Sequence, residues 1–256
     1  MSRRAPGPDW KEWLRRWDEQ QQTYLPNREW RFRAMLDVLE ATVGRSGRVL
    51  DLGCGPGSLS LRVLQRFPRV RVVAVDYDPV VLRIGQGALG AYGGRLTWVD
   101  TKIGSPNWTD RLPTGRYDAA VSTTALHWLP PGSLRRVYRD LGALIRPNGV
   151  VLNGDRLPWG PEDPRLQRLA ARVRKVRVKR MERRPDWGVW RRWWKEAARV
   201  PELAASFAEH RRRQAQHPKE AALPLNAQIR ALRRGGFRTV AVVWQNIEDR
   251  VLFAQR

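Results

Sequence analysis

Between residues 48 and 155, short apolar runs alternate with stretches whose apolar positions return every three or four residues. The runs near 48–52, 70–75, 95–100, 117–122 and 149–154 are brief and rich in β-branched residues, which predicts buried strands. The intervening stretches near 57–67, 79–89, 107–112 and 133–145 predict helices. In the first of these, Leu59, Leu61, Val63, Leu64 and Phe67 fall at mostly helical spacing. Strands alternating with helices predict an α/β fold, a parallel sheet covered on both faces. A helix near 224–234, the pair Gly235-Gly236 and two strands near 237–244 and 247–255 extend the pattern to the end of the chain.

Upstream, Trp10, Trp13, Leu14 and Trp17 recur at i, i+3, i+4 and i+7, one apolar stripe on a short helix. A longer amphipathic helix follows, with Trp30, Ala34, Leu36, Val38, Leu39 and Val43 as its apolar members. Past the fifth strand, Leu166, Leu169, Val173 and Val176 keep helical steps while Arg165, Arg168, Arg172, Lys175 and Lys179 run one position away. That predicts an amphipathic helix with a strongly positive edge. Trp187, Trp190, Trp193 and Trp194 make an aromatic cluster on a second short helix. The organisation expected is N-terminal helices over 1–44, a core over 45–155 and 224–256, and a helical cap inserted at 156–223.

Composition adds two constraints. A chain of 256 residues with 42% hydrophobic residues and 13 tryptophans can bury a substantial core, and no stretch approaches the roughly 20 apolar residues of a membrane span. Met1 to Pro8 carry arginines but no apolar signal core, so a cytoplasmic location is expected. The net charge of +23 points to a polyanion, an anionic substrate or an anionic surface. Residues 161–218 hold 17 basic and 7 acidic residues, +10 of that total. Arginine dominates the basic residues, which a GC-rich coding sequence explains equally well. The single Cys54 excludes an internal disulfide and a cysteine metal cluster, and no metal is expected. His210 and His217, beside an arginine-rich stretch, read as solvated.

The chemistry gathers around Val49-Leu50-Asp51-Leu52-Gly53-Cys54-Gly55-Pro56-Gly57. Glycines let a loop between strand and helix bend with positive φ and approach a ligand closely, and an acid at a strand end can bond hydroxyls or an amine. The spacing is Asp-x-Gly-x-Gly-x-Gly, not the G-x-G-x-x-G of dinucleotide sites. A second strand, Val70 to Val75, ends on another acid, Asp76.

These strings, with the Pro147-Asn148-Gly149 turn before the fifth strand, resemble the class I S-adenosylmethionine (SAM)-dependent methyltransferases over residues 45–155 and 224–256. The resemblance implies a Rossmann-like, doubly wound seven-stranded sheet, mostly parallel with an antiparallel C-terminal strand. It implies SAM as cofactor, held by Asp51, Gly53, Cys54, Gly55 and Gly57. Asp76 is then expected on the ribose hydroxyls and Tyr77 against the adenine, with Asp100, Thr101, Lys102, Ser122 and Thr123 completing the site. One position departs from the family: where an acid usually meets the adenine amine this chain has Lys102, which has donors only. Asp100, two residues earlier, lies on the same face if the strand continues.

Methyl transfer is an in-line displacement that needs an aligned acceptor and, where the acceptor loses a proton, a base. The family places the acceptor beside the end of the fourth strand, here Ser122-Thr123-Thr124-Ala125-Leu126-His127-Trp128-Leu129. His127 is the candidate base, since imidazole exchanges a proton near neutral pH. Tyr24, Arg28, His127, Trp128, Trp187 and Trp190 are the expected acceptor-binding residues, a set suited to an anionic or aromatic small molecule. The Ala125–Leu129 segment and the cap are most similar to the trans-aconitate and natural-product methyltransferase branch. Neither an Asn-Pro-Pro-Tyr-like motif nor a Pro-Cys nucleophile follows strand four, so the two common DNA chemistries are excluded. Transfer to oxygen, nitrogen or carbon of a small molecule is the expectation. Two alternatives remain: an RNA methyltransferase gripping phosphates with the basic cap, and a non-catalytic binding protein, for which Lys102 is the main support.

Overall fold

The computed structural model describes residues 7–25, 27–180, 188–214 and 223–256. Strands β1 (Ser46–Leu52), β2 (Arg69–Asp76), β3 (Leu96–Asp100), β4 (Tyr117–Thr123), β5 (Ile145–Arg156), β6 (Thr239–Asn246) and β7 (Asp249–Gln255) form one sheet. Their order is β3-β2-β1-β4-β5-β7-β6, and β7 alone runs antiparallel, between β5 and β6. This is the expected mostly parallel seven-stranded α/β sheet. The chain leaves β1 toward β2 on one side and returns to β4 on the other, so a crevice opens at the carboxyl ends of these strands.

Among the described residues the helices are α1 (Trp10–Tyr24), α2 (Arg28–Thr42), α3 (Ser58–Arg66), α4 (Pro79–Leu89), α5 (Pro131–Leu144), α6 (Pro164–Arg180), α7 (Gly188–Ala197), α8 (Ala204–Gln214) and α9 (Leu225–Arg234). Successive strand residues point to opposite faces, and both faces are covered, so β1 and β2 read as continuous apolar runs. On one face Val49, Val72 and Val121 pack with Phe32, Met35 and Leu39 of α2 and Leu59 and Val63 of α3. On the other, Leu50, Leu52, Val73 and Val75 pack with Leu134, Val137 and Leu141 of α5 and Leu232 of α9. A third cluster joins Val80 and Ile84 of α4 to Trp193 and Ala197 of α7 and Phe207 of α8, with Trp10, Trp13 and Trp17 of α1 against it. The N-terminal stretch therefore divides: α2 belongs to the sheet, and α1 packs with the cap.

Local chemistry sets where α4 begins: Asp78 Oδ1 accepts from the Val80 N–H at 2.9 Å, and Pro79 occupies the first turn. That start fixes Asp76, Tyr77 and Asp78 at the rim of the crevice. The stretch predicted as a helix at 107–112 is instead a single 3-10 turn, Trp108–Arg111. Four residues are too few for an α-helix; Asn107 has φ +56°, and buried Trp108 anchors the turn by donating its Nε1–H to Asp140 Oδ2 at 2.8 Å. β5 begins at Ile145, four residues before the expected start, because Ile145 pairs with Tyr117 across a register shift. No helix among the described residues is long and apolar enough to cross a membrane.

Candidate active site

A cavity of about 970 Å³ opens where β1, β2 and β4 end, and α1, α7 and α8 close its far side. At its floor is the glycine loop, with φ of +70°, +55° and +90° at Gly53, Gly55 and Gly57. A Cβ on Gly53 would lie 2.2 Å from that of Ala125, so glycine here lets the loop after β1 meet the turn after β4. A Cβ on Gly57 would meet the Trp98 ring at 2.8 Å. Gly57 thus turns the chain into α3 without lining the cavity.

Asp76 lines the cavity and is held from behind. Its Oδ2 accepts the Gly55 N–H at 2.7 Å, and Oδ1 accepts those of Tyr77 and Asp78 at 2.7 and 2.9 Å. Burial pushes its pKa up to about 6, against the opposing pull of these N–H groups. Asp51 is fully buried behind the loop; its Oδ2 accepts from the Ser60 hydroxyl at 2.6 Å and its Oδ1 has no partner among the described residues. Burial raises this carboxyl to about 7. Burial, then the nearby Asp76 and Asp51, also pushes the Cys54 thiol well up, which leaves it a poor nucleophile.

At the outer end, Lys102 and Arg213 of α8 approach the ring of Tyr77, with Nζ 5.7 Å and Cζ 4.5 Å from its centroid. Arg213 binds both carboxylate oxygens of Asp100, at 2.6 and 2.9 Å, and donates to the Tyr77 carbonyl at 2.5 Å. Asp100 is therefore committed to the cap and does not line the cavity, whereas Lys102 does. His210 is not solvated as expected. Its Nδ1 is 3.0 Å from Asp78 Oδ2, its ring stacks on Trp194 at 5.0 Å, and it lines the cavity.

At the inner end, Thr124 takes φ +54° and donates its N–H to the Gly154 carbonyl, and a short turn over Leu126–Trp128 follows. The turn carries His127 onto the cavity wall, with Nδ1 at 2.9 and 3.1 Å from the oxygens of Asp155. The His127 N–H also donates to Asp155, at 3.3 Å. Asp155 sits on β5 and is 1% exposed. Trp128 and Trp190 line the cavity with half-exposed rings. Arg28 lines it too, buried, with Nη1 2.9 Å from Asp18 and Cζ 4.6 Å over the Phe32 ring. Tyr24 does not; its hydroxyl oxygen accepts the Trp190 N–H at 3.1 Å and ties α1 to α7.

Of the expected cofactor residues, the cavity thus gathers Gly53, Cys54, Gly55, Asp76, Tyr77, Lys102 and Thr123. Asp51, Gly57, Asp100, Thr101 and Ser122 are not part of this lining. Ser122, for instance, donates its hydroxyl to the Leu52 carbonyl at 2.7 Å. Trp187 lies outside the described residues. Among these residues, none of α6 lines the cavity, so the cap divides into a part that borders the site and a part that does not. Sequence reasoning missed Asp155, His210 and Arg213. Asp155 had a usable signal, an acid directly after the fifth apolar run. His210 and Arg213 sit in a polar stretch and had none.

Residues 49–149 match the methyltransferase domain family. The trans-aconitate 2-methyltransferase of Azoarcus sp. (strain BH72) is 31% identical over 53% of this chain and 49% of its own. That of Streptomyces avermitilis is 34% identical over 44% of this chain and 42% of its own. The chain thus spans about half the length of the curated relatives it matches. Among solved structures, an O-methyltransferase family protein from Burkholderia thailandensis has the same fold, with a TM-score of 0.56 and 18% identity over 88% of this chain and 55% of its own.

Proposed function

We propose that this chain, whose residues 49–149 match the methyltransferase domain family, is a class I SAM-dependent methyltransferase that moves a methyl group from SAM to an oxygen, nitrogen or carbon atom of a small-molecule acceptor held beside His127. The observation that carries this reading is the His127–Asp155 pair on the wall of the same cavity as the glycine loop.

The residues present fit the cofactor. Asp76 lines the cavity with one donor already placed on Oδ2, and a carboxylate oxygen can accept a second hydrogen bond from a ribose hydroxyl. Two buried carboxyls, Asp51 and Asp76, favour a ligand that brings positive charge. Gly53 and Gly55 would offer backbone to the ligand, and Tyr77 its ring. SAM, when bound, supplies an electrophilic methyl group on a sulfonium. The chain's part is alignment and proton handling. With Nδ1 hydrogen-bonded to Asp155, Nε2 of His127 is the nitrogen that takes a proton from an acceptor hydroxyl or amine. Asp155 fixes the ring and offsets the charge of the imidazolium that forms. Arg136, a cavity-lining cation outside any ion pair among the described residues, joins Trp128 and Trp190 in favouring an acceptor with an acidic group or a planar ring.

No observation favours the RNA alternative: of the basic cap on which it rested, α6 contributes nothing to the cavity among the described residues, and Arg213, which does line it, is paired with Asp100. The test is transfer of labelled methyl from SAM to a panel of small carboxylic and aromatic acids, alongside calorimetric titration with S-adenosylhomocysteine. His127→Ala should abolish transfer while keeping the titration, and Asp76→Asn should weaken the titration by about tenfold, the loss of one charge-assisted hydrogen bond. Binding of the cofactor product without transfer to any acceptor would overturn the catalytic reading and leave a binding protein.

A further inference from the structure

α6 holds eight arginines and lysines and no acid in 17 residues, a rod of about 25 Å. Arg165, Arg168, Arg172, Lys175 and Lys179 follow one another at steps of three or four, so they form one continuous stripe. Like charges at those steps oppose helix formation. None of the five is in an ion pair among the described residues. Beside the stripe runs an apolar one, and it too is in water: Leu166 is 37% exposed, Leu169 41% and Val176 43%. The helix is held by its third side. Ala170 is buried, Arg174 pairs with Glu248, and Arg177 bonds Asn246 Oδ1 at 2.5 Å, at the turn between β6 and β7. Arg165, Arg168 and Arg172 with Ala171 also border a concavity of about 570 Å³. This surface has no part in the cavity described above.

We propose that α6 is a docking surface for an anionic lipid bilayer. Lipid phosphates neutralise the basic stripe and relieve its self-repulsion, while Leu166, Leu169 and Val176 enter the boundary between headgroups and acyl chains. Clusters of four to eight basic residues on an amphipathic helix are suited to anionic headgroups, and adjacent apolar side chains add burial. The apolar stripe decides between polyanions. A nucleic acid would satisfy the arginines and leave the leucines in water, whereas a bilayer takes both. The charge complementarity and the neighbouring leucines thus point to one partner, a membrane surface.

Sedimentation of the full chain with vesicles tests this. The chain should sediment with vesicles of equal parts phosphatidylglycerol and phosphatidylcholine and stay in solution with pure phosphatidylcholine. The triple variant R165Q/R168Q/R172Q should lower vesicle affinity by about tenfold or more. The triple variant R111Q/R116Q/R139Q, which removes three exposed charges elsewhere, should leave it within about twofold. L166Q/L169Q, which keeps helix propensity and every charge, should lower vesicle affinity by about fivefold or more while leaving polyuridylate RNA affinity unchanged. Failure of the parent to sediment, equal loss in the two charge variants, or unchanged vesicle binding by L166Q/L169Q would each overturn the proposal. All the substituted positions are exposed, and unchanged melting temperatures confirm that the variants compare like with like.

Discussion

His127 and Asp155 stand 28 residues apart in the chain and 2.9 Å apart in space, one on the turn after β4 and the other buried on β5. A carboxylate in that place dictates which imidazole nitrogen carries the proton and holds the ring against the cavity. Asp155→Asn can donate to Nδ1 and so favours the wrong tautomer. The expected result is a fall in kcat of about 10² to 10⁴ with KM and S-adenosylhomocysteine affinity unmoved. Steady-state kinetics, with calorimetry for the cofactor product, measures all three.

Asp51 makes stability depend on pH in an unusual direction. Its carboxyl titrates from an ordinary value of 3.8 in the unfolded chain and from about 7 in the folded one. Between these values the folded state holds a proton that the unfolded state has released, so stability is lost as pH rises through that window. Asp76, raised to about 6, acts in the same direction over a narrower range. Asp51→Asn removes the stronger of the two effects and keeps an acceptor for Ser60. Its melting temperature should gain on the parent's as pH rises from 4 to 8, as read by calorimetry in the absence of cofactor. A constant difference across that range would rule out the buried proton.

Arg213 occupies both Asp100 and a position 4.5 Å from the Tyr77 ring centroid, the two groups nearest the outer end of the cavity. Arg213→Gln should free both. The expected outcome is S-adenosylhomocysteine binding tightened severalfold in calorimetric titration, with a lower melting temperature because α8 loses its anchor to β3. Weaker binding would instead make Arg213 part of the cofactor's own contact surface.

Trp193 is the centre of the joint between cap and core. It is 2% exposed, with edge contacts to Trp13 at 5.6 Å and Trp17 at 5.1 Å, and Trp17 lines the cavity. Trp193→Ala should cost about 3 to 5 kcal/mol by chemical denaturation. It should also weaken S-adenosylhomocysteine, because the ring that supports Trp17 is gone. Loss of stability with cofactor affinity intact would separate the joint from the site.

Sheet, glycine loop and Asp76 were legible from the sequence because each is a local property. The apolar runs of β1 and β2 report burial on both faces, and three glycines at alternating positions report a backbone that bends into the left-handed region. An acid at the end of β2 stands at the crevice by the geometry of a parallel sheet. Nothing local distinguishes Arg213 or His210 from the solvated residues around them. Their partners, Asp100, Tyr77 and Asp78, lie more than a hundred residues away. The separation of α6 from the cavity was hidden for the same reason, since periodicity says which faces of a helix are apolar and not what they meet. What tertiary structure alone decided was the pairing of His127 with Asp155, the capture of Asp100 by the cap, and the exposure of α6. Each is a contact, or the lack of one, between segments whose sequences constrain their own conformation but not each other's position.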